Sequence, residues 1–241
     1  MDKKQLQKLA LPLLLILIGF AFISLSVELF SDISENVISQ EIRVFDDMMI
    51  ELLLRVFTPR FNHVMIFITE LGSVWFVASV SLLVALYLWF RKKDGWSILF
   101  LFITVGGGGL LNLLLKSIYQ IDRPSINVQY DAVGYSFPSG HAMGSLFLYG
   151  FIIYFIIKSQ LSKTKKILSS AALISLIALV AISRVYLNVH FPSDVIAGQA
   201  SGLAWLLVCI IALEMVKFKT RHNFKVNKTI RRLLDKYINK K

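Results

Sequence analysis

Residues 183–194 read SRVYLNVHFPSD and place Ser183, Arg184, His190 and Asp194 in one short stretch. Two clusters precede it: Lys116 with Arg123 and Pro124, then Pro138, Ser139, Gly140 and His141. Three cations against one carboxylate leave excess positive charge, which suits anionic oxygens, phosphate above all. Ser139 can cap a helix that starts after it, and the free N–H groups there, with the helix dipole behind them, form an anion site. Gly140 lets backbone approach a ligand without a Cβ in the way. Two histidines add the means to transfer a phosphoryl group as well as bind it. Asp194 follows His190 by four residues, with Pro192 between them. A helix starting near Pro192 would turn that carboxylate back to one imidazole nitrogen, fixing the tautomer and leaving the other nitrogen to attack. His141 has no carboxylate at such spacing and is better cast as the acid that protonates the leaving oxygen. Two histidines and an aspartate could also hold a metal, but three neighbouring cations oppose a divalent ion.

Helices that cross a membrane must position these clusters. The chain has 241 residues, 56% hydrophobic and 17% charged, with net charge +11 and mean hydropathy +0.67. That is too apolar for an ordinary soluble domain. Several runs approach or exceed the ~20 residues that span hydrocarbon. They predict an all-α integral membrane protein, a bundle of six transmembrane helices over about 11–30, 64–90, 96–115, 142–157, 167–187 and 195–213. The fourth is short and is expected to begin nearer Ser139.

Twenty of the 26 Lys and Arg residues gather on one side of these spans. The other side keeps Arg43, Arg55, Arg60, Lys116, Arg123 and Arg184. The distribution places both termini in the cytoplasm and all three clusters at the extracytoplasmic face of the cell membrane. A single cation there could snorkel to the interface, whereas three cations with two histidines on one face point to a site.

The loop over 31–62 carries Met48, Met49, Leu52, Leu53 and Val56 at roughly helical spacing, which predicts a short amphipathic helix. It either packs over the bundle or borders a lipid entry portal. The run Gly106, Gly107, Gly108 and Gly109 allows close helix packing or a hinge. The single cysteine, Cys209, reads as a small core residue. Residues 1–216 are expected to form the six-span domain and 217–241 a basic cytoplasmic tail. There Leu233, Leu234, Tyr237 and Ile238 recur at helical spacing, which suits an interfacial helix on anionic lipid better than nucleic-acid binding.

In order and spacing the clusters resemble the type 2 phosphatidic acid phosphatase family of membrane lipid phosphate phosphatases. The family pattern is K-x6-RP, then PSGH, then SR-x5-H-x3-D. Lys116, Arg123 and Pro124 match the first part, residues 138–141 the second, and Ser183, Arg184, His190 and Asp194 the third; no position departs. The resemblance implies a phosphohistidine on His190, oriented by Asp194. His141 would protonate the leaving group and then activate the hydrolytic water. Lys116, Arg123, Arg184, Ser139 and the Gly140 N–H would hold the phosphate oxygens, with no metal and no cofactor.

The family acts on phosphatidylglycerophosphate, phosphatidate and polyprenyl diphosphates, and includes soluble haloperoxidases that bind vanadate in the same pocket. The expected activity is metal-independent hydrolysis of a lipid phosphomonoester, phosphatidylglycerophosphate first and undecaprenyl diphosphate second. A lipid phosphotransferase would differ only in the acceptor. A transporter using the same charges as a relay would carry internal repeats or paired broken helices, which the sequence lacks. The expected partners are the lipid phosphate and membrane lipids, with no nucleic acid and no obligatory protein partner.

Overall fold

The computed structural model describes residues 3–124 and 133–238, the side chains of 3–13, 15 and 221–238 excepted. Among the described residues all regular structure is helical. The α-helices are α1 (Lys3–Ile38), α2 (Arg43–Val56), α3 (Asn62–Glu70), α4 (Val74–Tyr87), α5 (Gly95–Phe102), α6 (Gly108–Tyr119), α7 (Gly140–Lys158), α8 (Lys163–Tyr186) and α9 (Pro192–Ile238). A π-helical turn over Leu88–Lys92 extends α4, and another over Ile103–Gly107 joins α5 to α6. Six stretches are long and apolar enough to cross a bilayer: Ile16–Ile38, Val74–Lys92, Gly95–Tyr119, Gly140–Lys158, Lys163–Tyr186 and Pro192–Thr220. The predicted all-α six-span bundle is therefore the fold, and the amphipathic segment of the first loop is α2.

Side chains that end the apolar runs set the helix starts. Ser73, Asp94, Ser139 and Ser162 each accept an N–H from the first turn of α4, α5, α7 and α8. Each such cap is worth about 1 kcal/mol. Helix α7 lies at the centre, with Phe147, Leu148 and Phe151 buried, and packs on both α8 and α9. Helix α1 packs along α9.

The first two spans differ most from their predicted limits. The first continues past residue 30 because Ile33 and Val37 are buried against Phe137 and Ala197 at the site end of the bundle. The second does not begin at Val64. The chain turns at Leu71 and Gly72, and Ser73 restarts it as α4. Gly72 makes that turn possible, because a Cβ there would lie 2.5 Å from Val180 and 3.3 Å from the His141 carbonyl oxygen. The glycine run serves close packing at its centre: a Cβ on Gly108 would meet the Phe147 ring at 2.3 Å, and one on Gly107 would meet Trp205 at 2.8 Å.

The backbone of α9 runs unbroken over Pro192–Ile238. The predicted apolar face of Leu233, Leu234, Tyr237 and Ile238 lies outside the described side chains.

Candidate active site

Pro192 starts α9, as its fixed φ and missing N–H favour at a first helical position. Asp194 is thereby in the first turn. Its Oδ2 lies 3.2 Å from His190 Nδ1 and accepts the Phe191 N–H at 2.8 Å. The Ser136 hydroxyl donates to the same oxygen and stands 3.2 Å from His190 Nδ1. Both His190 and Asp194 are buried.

On the other ring nitrogen, Arg123 Nη1 stands 3.0 Å from His190 Nε2. A guanidinium only donates, so Nε2 must be an acceptor and the ring proton sits on Nδ1. Asp194 therefore takes the Nδ1–H and leaves the Nε2 lone pair outward, the tautomer a nucleophile needs. Burial, and then the charges of Arg123, Arg184 and Lys116, hold His190 well below the usual imidazole pKa. The ring is neutral at physiological pH.

The charges of all three cations reach this ring, two from different helices and one from a loop. Arg123 is anchored in the loop after α6: Nε donates to the Gly134 carbonyl at 2.9 Å and Nη1 to the Val189 carbonyl at 2.8 Å. Lys116, in the last turn of α6, donates to the carbonyls of Tyr135 and Ser136. Arg184, in the last turn of α8, is wholly buried, and its Nη1 donates to Thr69 Oγ1 at 2.7 Å. A buried guanidinium in a fixed position is a strong donor to anionic oxygens.

Ser139 caps α7 through the Ala142 N–H at 3.4 Å, while its own N–H donates to the Asp194 carbonyl at 3.0 Å. The PSGH turn is thus tied to the His190–Asp194 turn through the backbone. His141 occupies the first turn of α7, buried beside the Leu71–Gly72 turn, within electrostatic reach of His190 and all three cations. Gly140 has a local reason as well: a Cβ there would lie 3.0 Å from Asn112 Oδ1. Asn112 fills that space and donates to the Pro138 carbonyl at 3.1 Å.

All eight residues predicted for the site thus lie at one end of the bundle. Four others share it that the sequence reading did not single out. Ser136 bonds Asp194, Thr69 bonds Arg184, Asn112 holds the turn before α7, and Asp46 on α2 is buried against Ser193. Asn112 had a visible signal, an amide inside LLNLLLK. Ser136 and Thr69 had none, since a lone hydroxyl in a loop or at a helix end is ordinary.

The chain is similar to several known proteins. A family model described as the PAP2 superfamily matches residues 96–217. The chain is 37% identical over 147 residues to phosphatidylglycerophosphatase B of Bacillus subtilis, covering 60% of this chain and 71% of that protein. It is 31% identical over 110 residues to lipid phosphate phosphatase delta of Arabidopsis thaliana, covering 39% of this chain and 26% of that protein. The crystal structure of a transmembrane PAP2-type phosphatidylglycerolphosphate phosphatase from Bacillus subtilis superposes with a TM-score of 0.70 at 27% identity, over 79% of this chain and 96% of that one. LpxE of Aquifex aeolicus shares the fold, with a TM-score of 0.52 at 21% identity over 68% of this chain and 93% of that one.

Proposed function

This chain belongs to the PAP2 superfamily and is a metal-independent membrane lipid phosphatase, and from that premise we propose that it converts phosphatidylglycerophosphate to phosphatidylglycerol through a phosphohistidine on His190. The observation that carries the mechanism is the chain Asp194–His190–Arg123, which leaves Nε2 deprotonated and facing the Arg123 guanidinium. The likeness to the Bacillus subtilis phosphatidylglycerophosphatase supports the substrate.

In the first step Nε2 attacks phosphorus, the N–P bond forms and the P–O bond to the lipid breaks. His141 gives its proton to the departing lipid oxygen. Lys116, Arg123, Arg184, Ser139 and the Gly140 N–H hold the three phosphoryl oxygens, where fixed donors act most on developing charge. In the second step neutral His141 takes a proton from water, the hydroxide attacks phosphorus, and the P–N bond breaks to release phosphate. Arg123 leaves Nε2 and moves its N–H to a phosphoryl oxygen, so one guanidinium serves the resting ring and the bound phosphate in turn.

Residues 1–216 act as the phosphatase unit, and the basic tail over 217–241 lies on the anionic cytoplasmic leaflet. Sidedness rests on the Lys and Arg distribution: both termini cytoplasmic, the site extracytoplasmic. A membrane-impermeant histidine reagent applied to intact protoplasts should then inactivate the enzyme, with prior vanadate protecting it. Protection of the site by an intact membrane would reverse the topology.

A panel of lipid phosphates in detergent tests the substrate. Phosphatidylglycerophosphate should give the highest kcat/KM. A higher value for undecaprenyl diphosphate would make that the substrate. Transfer of the phosphoryl group to a second lipid would make the enzyme a phosphotransferase.

A further inference from the structure

Helix α9 starts without a capping side chain at its N-cap residue. Phe191 holds the N-cap position, its carbonyl accepting the Val195 N–H at 3.3 Å, and its side chain offers no acceptor for the orphan N–H groups of the first turn. Pro192 has no N–H to satisfy. The next N–H, on Ser193, is taken by Asp46 from another helix: Asp46 Oδ1 accepts it at 2.8 Å, and Oδ2 accepts the Ser193 hydroxyl at 2.8 Å. Asp46 is 1% exposed. A carboxylate at a helix N-terminus also meets the favourable end of the helix dipole.

The rest of α2 grips the residues on either side. The Arg43 guanidinium lies 4.4 Å from the centre of the Phe191 ring. Ile50 and Leu53 pack on a cluster that contains Val195 with Ala142, Ala181 and Val185. Contacts from one helix thus reach Phe191, Ser193 and the cluster that contains Val195, and Asp194 follows Ser193 directly in the same turn. The Asp194 carboxylate in turn accepts the Phe191 N–H while holding His190.

Given the phosphohistidine reading above, we propose that Asp46 is a positioning residue for catalysis: it caps the first turn of α9 from the interfacial helix α2 and so fixes Asp194 against His190. It touches neither substrate nor reacting atoms. Helix α2 then does more than cover the bundle, since an undocked α2 would let the turn that carries Asp194 fray.

The test uses the full chain in lipid-containing micelles, comparing Asp46→Ala, Asp46→Asn, Ser193→Ala, Asp47→Ala and His190→Ala on one lipid phosphate. Asp46→Ala should lower kcat on the order of tenfold, as a misplaced catalytic group does, with KM changed by less than about twofold. Asp46→Asn keeps an acceptor for the Ser193 N–H and should restore kcat to within about threefold of wild type. Asp47 is exposed on the same helix, and its alanine variant should match wild type. If Asp46→Ala does not fold, Ser193→Ala, which loses one of the two bonds, should still show a lower kcat at unchanged KM. An unchanged kcat in either variant, or a loss confined to KM, would overturn the inference. So would an Asp46→Asn variant as impaired as Asp46→Ala. Turnover surviving in His190→Ala would instead sink the reading of the site itself. A dead His190→Ala beside a fully active Asp46→Ala would remove only the role of Asp46.

Discussion

Arg123 Nη1 stands 3.0 Å from His190 Nε2, while Asp194 Oδ2 holds the other ring nitrogen at 3.2 Å. The imidazole is clamped between a donor and an acceptor, which fixes both its orientation and its proton. The same guanidinium is fastened behind the ring by the Gly134 and Val189 carbonyls. It can therefore reach the ring nitrogen and a phosphoryl oxygen beside it without moving as a whole.

Arg123→Lys should be far from conservative. An ammonium is a point donor and cannot keep a carbonyl anchor and a phosphoryl oxygen in one planar fork. Arg184→Lys should fail likewise, losing the reach to Thr69 Oγ1. Each should cost kcat on the order of tenfold or more, about 1.4 kcal/mol of transition-state stabilisation. Steady-state kinetics on a lipid phosphate check this. An unchanged kcat would move these residues from catalysis to packing.

His190 should stay neutral well into the acid range. Burial and the neighbouring cations lower its pKa below the ordinary 6.5. A depressed imidazole pKa means the deprotonated, nucleophilic form persists as pH falls through 6.5, and charging begins only at the lower folded value. Histidine-labelled protein followed by NMR, with the resonance identified through His190→Ala, should show a neutral ring at pH 6. A ring half-protonated at or above 6.5 would mean that the site is wetter or less cationic than described.

Ser136→Ala should slow the chemical step. The hydroxyl donates to the Asp194 oxygen that holds His190 Nδ1. Without it the carboxylate loses one of its fixed donors, and the ring a neighbour. We expect kcat to fall on the order of tenfold or more, as for one hydrogen bond to a charged group, with KM nearly unchanged. A drop in KM-dependent binding alone would assign Ser136 to the substrate instead.

Much of this was legible in the sequence because charge in an apolar run has few reasons to exist. Lys116, Arg123, Arg184, His141, His190 and Asp194 stood out against their neighbours, and three fixed spacings tied them to one family. Span number and order followed from apolar length. The break at Gly72 was not legible, since apolar residues run through it and only the close approach of Val180 and His141 requires it. Asp46 was hidden for a related reason. It sits beside Asp47 on an amphipathic helix where acids normally face water, and only its contact with Ser193, 147 positions away, makes it a buried cap. Ser136 and Thr69 likewise gain meaning from partners distant in sequence.

The central claim is that His190 carries the phosphoryl group and His141 moves the protons. A nitrophenyl phosphate needs little protonation of its leaving group, so His141→Ala should still form the intermediate from it. The measurement is rapid mixing of that variant with the nitrophenyl ester, followed by quench and identification of the phosphorylated residue. The account predicts a burst of nitrophenol near one equivalent, then a stall, with the phosphoryl group trapped on His190, and no burst in His190→Ala. A burst in His190→Ala with none in His141→Ala would reverse the two roles and contradict the assignment drawn from the Asp194–His190–Arg123 chain.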